Sequence, residues 1–309
     1  MTPLRLVIDT DPGTDDAIAL ALAASLCKMD ICAIVSSYGN VQGDTAFRNA
    51  CDLAALLHID AAMLHGSNAP FCGAFTATDY HGGNGLCGVV LPPAELPSQP
   101  EDVYKALYDI IAENAPVTYV TFAPLTNLAA MLRRFPDVGA YIAQVVTMGG
   151  GYNVFNMPHG TEYNFYMDGL AVREVLAAGL PLTLAPLDLT HSIALSEAEL
   201  EDIVGHTLAG LETVPQTPYA LLGRILFGNL AAARAHGEEG AIIHDACTLL
   251  YLHNPAACTT EVKRTIADNF GALSEDPKGA PLQVITAMDK TYAAACFREA
   301  FRALSQQNL

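Results

Sequence analysis

The residues best suited to chemistry are four acids in one short segment, Asp9–Asp16, with the sequence DTDPGTDD. An apolar segment, Leu4–Ile8, precedes them, and a helix-forming segment, Ala17–Ala24, follows. Pro12 and Gly13 indicate a turn between the two segments. The acids therefore lie where a predicted buried strand ends and a predicted helix begins, which is where open α/β sheets bind ligands.

Four carboxylates on one turn repel each other, and each resists removal from water. No basic residue lies between Arg5 and Lys28 to balance them. A bound divalent cation would do so, and a set of oxygen ligands favours Ca²⁺ or Mg²⁺ over Zn²⁺. The alternative is a solvated turn in which Asp15 or Asp16 stabilises the start of the helix. That alternative accounts for one or two of the acids, not for four.

Strand-like and helix-like segments alternate along the first two thirds of the chain, which indicates βαβ units. We therefore predict an α/β fold with an open, mostly parallel sheet flanked by helices and a Rossmann-like core. Two later strand-like segments, Thr259–Ile266 and Leu282–Met288, predict an antiparallel edge near the C-terminus. No linker or internal repeat interrupts the pattern, so residues 1–309 are interpreted as a single domain. The predicted elements are the strands Leu4–Ile8, Ile31–Ser37, Ala61–Leu64, Pro116–Phe122, Gln144–Met148 and Leu182–Ala185, and the helices Asp15–Lys28, Asp44–Leu57, Pro100–Asn114, Leu128–Arg134, Asp168–Ala178, Pro218–His236, Ala246–His253 and Lys290–Leu304.

Polar side chains follow the predicted strands, and the carboxyl ends of parallel strands share one edge of a sheet. We therefore expect these side chains to converge in one pocket. Glu162 and Asn164 are expected on one side of an extended segment, since residues two apart align there. The Gly- and Pro-rich stretch from His65 to Pro100, which contains His81, is interpreted as a functional loop such as a lid. The segments that follow strands are Asp9–Asp16, Asn40, Phe122–Asn127, Asn156–Asn164, His191 and His244-Asp245.

Composition narrows the classes of partner. The formal charge of −18 argues against nucleic acid and against anionic membrane surfaces. No uncharged apolar run is long enough to span a bilayer. The chain enters a predicted strand almost at once, with no signal-peptide pattern, and its eight cysteines are scattered without a C-x-x-C pair. We therefore expect a cytoplasmic protein with reduced thiols and no membrane or nucleic-acid partner.

Segment Asp9–Ala17 resembles the fingerprint of the inosine–uridine-preferring nucleoside hydrolases, the nucleoside N-ribohydrolases. The resemblance covers most of the chain and implies the nucleoside hydrolase fold. It also implies Ca²⁺-dependent hydrolysis of the N-glycosidic bond of ribonucleosides, which gives ribose and a free purine or pyrimidine base. The resemblance further implies that the protein forms a homo-oligomer, either a dimer or a tetramer. The other matching segments, in order, are Tyr38–Asn40 (YGN), His81–Leu86 (HGGNGL), Pro124–Ala129 (PLTNLA), Glu162–Asp168 (EYNFYMD), Ile243–Asp245 (IHD) and, more weakly, Leu187–His191 (LDLTH).

The same resemblance implies a role for each site residue. A water on the Ca²⁺ ion would be the nucleophile, with Asp11 as general base. His244 would face the leaving base, with His81 near it; the role of His191 and the base preference stay open. The implied metal ligands are Asp11, Asp16, Asp245 and the main-chain carbonyl of Phe122. The implied ribose ligands are Asp15, Asn40, Asn156, Glu162 and Asn164.

Two other functions remain as alternatives. Asp9 and Asp11 after a strand also match the aspartyl nucleophile of haloacid-dehalogenase phosphohydrolases, although Gly13 stands where Thr or Val is expected. The third possibility is a non-catalytic Ca²⁺- or ribose-binding protein; an EF-hand is disfavoured because the twelfth position from Asp9 is Leu20 rather than Glu. The residues interpreted as surface or packing groups are His58, His65, His206, His236, His253, Arg224, Phe227, Asn229 and Arg234.

Overall fold

The structure is a computed structural model that describes residues 3–26 and 29–306. Within these ranges, nine strands form one sheet. The strands are β1 (Leu4–Thr10), β2 (Met29–Ser36), β3 (Ala62–His65), β4 (Val117–Thr121), β5 (Ile142–Met148), β6 (Leu182–Ala185), β7 (Cys258–Ala267), β8 (Leu273–Glu275) and β9 (Ala280–Met288). Their order across the sheet is β3-β2-β1-β4-β5-β6-β9-β7-β8.

The parallel sheet and its antiparallel end confirm the predicted fold class. Strand β1 pairs in parallel with β2 and β4, and the parallel pairing continues through β5, β6 and β9. Strand β7 then runs antiparallel to both β9 and β8. The predicted antiparallel pair, Thr259–Ile266 with Leu282–Met288, is therefore β7 with β9. Because β9 also pairs with β6, this pair extends the parallel sheet directly.

Helices cover both faces of the sheet, and each face has its own apolar cluster. Leu6 and Ile8 of β1 belong to one cluster and Val7 to the other, so the strand is buried on both sides. This explains why the parallel strands are apolar throughout. The helices are α1 (Thr14–Ser25), α2 (Gly43–Leu56), α3 (Val103–Glu113), α4 (Thr126–Arg134), α5 (Tyr163–Met167), α6 (Gly169–Ala177), α7 (Leu187–Thr190), α8 (Glu197–Val204), α9 (Leu208–Glu212), α10 (Pro218–Ala235), α11 (Ala246–His253) and α12 (Lys290–Gln306).

The prediction for the segment around Glu162 was wrong. It is not extended: Glu162 is the N-cap of the short helix α5, and its carboxylate accepts hydrogen bonds from the N–H groups of Asn164 and Phe165. An acidic side chain at this position satisfies N–H groups that a helix leaves free at its start. The first helix, α1, runs from Thr14 to Ser25. Its predicted end at Lys28 lies outside the described residues.

Two further expectations concern thiols and membranes. The described cysteines are all free; Cys27 lies outside the described residues. Within residues 3–26 and 29–306, no helix combines the length and the apolar character needed to cross a bilayer.

Candidate functional site

One cavity of about 360 Å³ opens at the carboxyl edge of the parallel strands. It brings together side chains that are up to 230 positions apart in the sequence, from Asp15 to Asp245. Of the predicted site residues, Asp11 and Asp16 do not line it, and both are fully buried. The predicted residues that line it are Asp15, Asn40, His81, Phe122, Asn156, Glu162, Asn164, His244 and Asp245, and His191 lines it as well. Their roles stay predictions.

The carboxylate of Asp16 stabilises the start of α1 through hydrogen bonds. Its Oδ2 atom accepts hydrogen bonds from the N–H of Gly13, the N-cap residue, at 2.9 Å and from Asn40 Nδ2 at 3.1 Å. Its Oδ1 atom accepts from Thr10 Oγ1 at 2.5 Å. The helix-capping alternative therefore accounts for Asp16. Asp9 is satisfied differently, since its two oxygens accept hydrogen bonds from Tyr119 Oη and Asn127 Nδ2. Asp11 and Asp15 remain unexplained.

Asp11 and Asp15 each keep one buried carboxylate oxygen, Oδ1, without a hydrogen-bond partner among the described residues. The other oxygen of Asp11 accepts from the backbone N–H of Asn40 at 2.6 Å. A buried acceptor that is left unpaired is costly. The two free oxygens therefore indicate a positively charged ligand.

Asp245 joins the N-terminal acids from the far end of the chain. Ligand oxygens of Asp15, Asp16 and Asp245 all lie within 4.8 Å of one another. Asp245 occupies the N-cap position of α11, but its side chain makes no capping hydrogen bond. Its carboxylate is thus available to the cluster. Asp11, which the family resemblance implied as a metal ligand, is not among these three, although its charge acts on Asp245.

The charges in this cluster do not balance one another. Burial raises the pKa of Asp11 and of Asp245 well above the ordinary value, and repulsion from Asp16 and Asp15 raises them further. Burial lowers the pKa of His81 to about 4 and that of His244 to about 3, so neither ring is cationic at neutral pH. No Lys or Arg is among the described residues that line the cavity. An all-oxygen donor set with unpaired oxygens and no protein cation fits a hard divalent ion.

The carbonyl of Phe122 lies at the end of β4, beside the cluster. Asn164 Nδ2 donates a hydrogen bond to this carbonyl at 2.6 Å, and the N–H of Phe122 donates to the carbonyl of Asp9 at 2.8 Å. The bulky Phe122 side chain is buried in the apolar core, so it does not block the carbonyl. A carbonyl oxygen has a second lone pair, so the bond from Asn164 leaves room for an additional ligand.

Glu162 lines the cavity at the start of α5. Its Oε2 atom accepts from the N–H groups of Gly150 at 2.8 Å and Phe165 at 3.1 Å, and its Oε1 atom accepts from Asn164 at 2.9 Å. Burial raises the pKa of Glu162 to about 7, and these three hydrogen bonds oppose the rise. The backbone bonds hold both oxygens in place beside the cavity.

The loop after β2 has to approach Asp11 closely. A Cβ atom at Gly39 would stand 1.9 Å from Asp11 Oδ2, and the φ angle of Gly39 is +158°. Any side chain at this position would therefore displace the carboxylate of Asp11. The glycine of the YGN motif is thus explained by the space that the carboxylate needs.

His244 and His191 face the cavity as neighbours. His244 Nδ1 shares a hydrogen bond with Thr190 Oγ1 at 2.7 Å. The ring centroids of His244 and His191 are 5.6 Å apart, and His191 Nδ1 lies 3.7 Å from Glu238 Oε1. With Nδ1 engaged, the Nε2 atom of His244 is the atom left for a ligand.

Several residues of the site were missed or misjudged from the sequence. His236, interpreted as a surface or packing residue, is exposed but lines the cavity. Other residues of that group near α10 agree with their interpretation: Asn229 is fully buried, with its Nδ2 atom 3.0 Å from Thr14 Oγ1, and Arg234 pairs with Glu197 on the surface. Tyr163 and Leu187, which lie in matching segments but were given no role, also line the cavity. The lining residues outside every matching segment are Thr78, Tyr80, Met148, Met157, Glu238 and Ile242.

Comparison with known proteins agrees with the motifs. Residues 6–294 match the family model of the inosine-uridine preferring nucleoside hydrolases. The chain is 33% identical over 262 residues to the pyrimidine-specific ribonucleoside hydrolase RihA of Enterobacter sp. (strain 638), covering 83% of this chain and 81% of that protein. It is 32% identical over 258 residues to an uncharacterised protein of Schizosaccharomyces pombe, covering 82% and 81% respectively.

The fold agrees as well. A purine-preferring ribonucleoside hydrolase from Gardnerella vaginalis superposes with a TM-score of 0.86 at 22% identity, covering 98% of this chain and 99% of that chain. A structure of an inosine-guanosine nucleoside hydrolase superposes with a TM-score of 0.85 at 23% identity, covering 97% and 99%. The predicted nucleoside hydrolase fold is therefore confirmed. The chain belongs to the inosine–uridine preferring nucleoside hydrolase family of N-glycosyl hydrolases.

Proposed function

We propose that this chain hydrolyses the N-glycosidic bond of ribonucleosides in a Ca²⁺-dependent reaction and releases ribose and a free purine or pyrimidine base. The observation that carries the proposal is the pair of unpartnered buried oxygens, Asp11 Oδ1 and Asp15 Oδ1, within an acidic cluster that no protein cation balances. Family membership and the pyrimidine-specific relatives support the choice of a ribonucleoside as substrate.

The cation would be held by Asp11, Asp16 and Asp245 with the carbonyl of Phe122, and the oxygen donors fit Ca²⁺. Bound there, Ca²⁺ would supply a charge that orients the ribose diol and the attacking water. Asp11 would act as the general base through its unpartnered Oδ1 atom, accepting a proton from the water. Its other oxygen stays in place through the bond from Asn40.

The ribose would lie on the buried floor of the cavity. Polar groups from several strand ends converge there and suit a sugar with three free hydroxyls. Cleavage of the glycosidic bond gives the sugar oxocarbenium character, and fixed carboxylates around it favour that positive charge. The residues proposed to bind ribose hydroxyls are Asp15, Asn40, Asn156, Glu162 and Asn164.

The leaving base would meet His244 and His81. Because burial keeps both imidazoles neutral at pH 7, each would assist the departing base by donating an N–H hydrogen bond. His244 has its Nε2 atom free for this purpose, since Nδ1 is engaged by Thr190.

The cavity lining argues against the phosphohydrolase alternative. A phosphate would meet the carboxylates of Asp15, Glu162, Glu238 and Asp245, with no Lys or Arg from the described residues to receive it. Enzymes of phosphoryl transfer typically use Lys or Arg side chains, in addition to metal ions, to hold the phosphoryl group. An uncharged nucleoside carries no such penalty, so the lining favours nucleosides over nucleotides.

We extend the proposal to domain organisation, cellular location and assembly. The chain would act as one catalytic domain, because the site draws on residues from Asp11 to Asp245 along one continuous sheet. It would work in the cytoplasm, in keeping with its free cysteines. It would assemble as a homo-oligomer, dimer or tetramer, which light scattering on the purified protein would test.

The deciding experiment incubates purified protein with inosine, uridine, cytidine, adenosine and guanosine and measures the reducing sugar released. The same reactions are run after chelation and after Ca²⁺ is restored. We expect ribose from at least one nucleoside, loss of activity on chelation and recovery with Ca²⁺. No ribose from any of the five, with Ca²⁺ shown to be bound, would leave a ribose- or Ca²⁺-binding protein; phosphate released from p-nitrophenyl phosphate would restore the phosphohydrolase alternative.

A further inference from the structure

Glu238 adds a carboxylate at the mouth of the cavity, in addition to the buried carboxylates that line it. Asp15, Glu162 and Asp245 are all buried. Glu238, by contrast, lies at the rim with its side chain 42% exposed, next to the exposed His236. A nucleoside with its ribose on the floor would extend its base toward this rim. Glu238 is therefore placed to face the edge of the base that is farthest from the sugar.

The backbone that carries Glu238 is held against the end of α10. Its N–H donates to the carbonyl of Ala233 at 2.9 Å, and the N–H of Gly237 donates to the carbonyl of Arg234 at 3.1 Å. Gly237 takes a φ of +90°, which lets the chain turn from the helix toward the cavity. The position of Glu238 is thus set by the helix end rather than by a free loop.

The carboxylate of Glu238 is an acceptor that the protein leaves available. Neither of its oxygens has a hydrogen bond from a described side chain or N–H group, and the imidazole of His191 lies close by, with Nδ1 3.7 Å from Oε1. An ionised carboxylate can accept hydrogen bonds but cannot donate them. A ligand at this point would gain by offering N–H groups.

An aromatic side chain at the rim suits a planar ligand. Tyr80 lines the cavity, and its ring centroid lies 4.9 Å from that of His81 and 4.9 Å from that of His236. Aromatic rings can stack on any of the nucleobases, because every base has a π-face. Stacking at Tyr80 would hold a base in plane while Glu238 reads its edge.

We propose that Glu238 determines base specificity and selects guanosine, whose edge offers two adjacent donors, N1–H and the N2 amine, to one carboxylate. Inosine offers one N–H beside a carbonyl oxygen, and uridine offers one N–H between two carbonyl oxygens, which the carboxylate repels. Cytidine and adenosine each offer one amine beside an unprotonated ring nitrogen. Paired contacts of this kind discriminate well between bases. This inference rests on the proposed function and deepens it.

The test compares kcat/KM for guanosine, inosine and uridine in the Ca²⁺-loaded wild type and in Glu238→Gln. The wild type is expected to favour guanosine. The glutamine amide offers one donor and one acceptor, which complements the N–H and carbonyl edge of inosine. We expect the guanosine-to-inosine ratio to fall by about tenfold, through weaker turnover of guanosine and stronger turnover of inosine. The matched control is Glu239→Gln, at the next residue, which is exposed and does not line the cavity.

A second variant separates recognition from a structural role. Glu238→Ala should lose the preference for guanosine without gaining activity on inosine. An equal loss on all three nucleosides in both variants would overturn the inference, since it would mean that Glu238 acts only through His191 or through the fold. A wild type that hydrolyses nucleosides with an unchanged ratio in Glu238→Gln would overturn it too. A wild type that releases no ribose from any nucleoside would instead overturn the proposed function itself.

Discussion

The Nδ1 atom of His81 accepts a hydrogen bond from the backbone N–H of Thr14 at 3.2 Å. A backbone N–H can only donate, so Nδ1 carries no proton and the proton of the neutral ring is on Nε2. That Nε2 atom lies 3.8 Å from Asp15 Oδ1, one of the unpartnered oxygens. The fold therefore fixes the tautomer of His81 and directs an N–H group toward the acidic side of the cavity.

Thr14→Val should weaken both the fold and the orientation of His81. The hydroxyl of Thr14 lies 2.8 Å from His81 Nδ1 and 3.0 Å from Asn229 Nδ2, and Asn229 is fully buried. Valine would leave that amide without its acceptor, at an expected cost of about 1–3 kcal/mol in the free energy of unfolding, measured in urea. Thr14→Ser, which keeps the oxygen, is the control. Equal stability of the two variants would show that the hydrogen bonds of the Thr14 hydroxyl do not contribute to the free energy of unfolding.

Asp11→Asn should abolish Ca²⁺ binding and nucleoside hydrolysis together. The amide has nearly the shape of the carboxylate, so no cavity is created, but it removes a charge and the proposed base. Calorimetric titration of the chelated protein with Ca²⁺ and a ribose-release assay would check the two effects side by side. Asp79→Asn, in the exposed part of the long loop, is the control and should change neither. Full Ca²⁺ affinity in Asp11→Asn would remove Asp11 from the ligand set.

His244→Ala should slow the reaction only where the leaving base needs a hydrogen bond. We expect kcat on common nucleosides to fall by about a hundredfold. Activity on p-nitrophenyl riboside, whose leaving group departs as a stable anion, should be retained. Metal content, measured by elemental analysis, should stay at the wild-type level, as it should in His206→Ala. A parallel loss of metal would contradict the assigned role, because His244 precedes the proposed ligand Asp245.

The stability of the metal-free protein should depend on pH through Glu162. Its pKa is about 7 in the folded chain, against an ordinary value of 4.5. Between these pH values the folded state holds a proton that the unfolded state has lost. Its contribution is therefore fully present below pH 4.5 and declines as pH rises toward 7, by up to about 1.4 kcal/mol per pH unit.

Glu162→Gln cannot titrate and isolates this effect. Urea unfolding of both chelated proteins from pH 4.5 to 7 should show the wild type losing stability relative to the variant as pH rises. The histidines, which act in the opposite direction, are common to both proteins and cancel in the difference. A difference that stays constant over this range would mean that Glu162 is ionised throughout.

Local sequence patterns were enough to predict the sheet and the meeting of most candidate residues in one cavity. The alternation of apolar strands and helices depends on neighbouring residues, and the positions of Asp11 and Phe122 after strands follow from it. The expectation that His244 also follows a strand was wrong: His244 lies between α10 and α11, where an isolated bridge joins Ala241 to Leu195. The prediction of secondary structure failed at Glu162, where the side chain starts a helix in a segment that was expected to be extended. Glu162 caps a five-residue helix that has too few residues to show a period of its own.

The rim of the cavity could not be predicted from neighbouring residues. Tyr80 and Glu238 carry no motif, and they meet because the loop after β3 and the end of α10 approach each other in space. His236 is another case, since a histidine at a helix end is usually a surface residue. Such contacts between residues that are distant in sequence depend on tertiary packing, and the spacing of neighbouring residues does not predict them.

By itself, the sequence determined that four acids crowd one turn and that some positive charge must balance them. The charges of these side chains and their closeness along the chain follow from the covalent structure alone and do not depend on the fold. Only the tertiary structure decided which oxygens stay unpaired: the carboxylate of Asp16 accepts hydrogen bonds from Gly13, Thr10 and Asn40, while Asp11 and Asp15 each keep one buried oxygen without a partner. Hydrogen-bond saturation is a property of the surroundings in three dimensions, and no spacing along the chain could have revealed it.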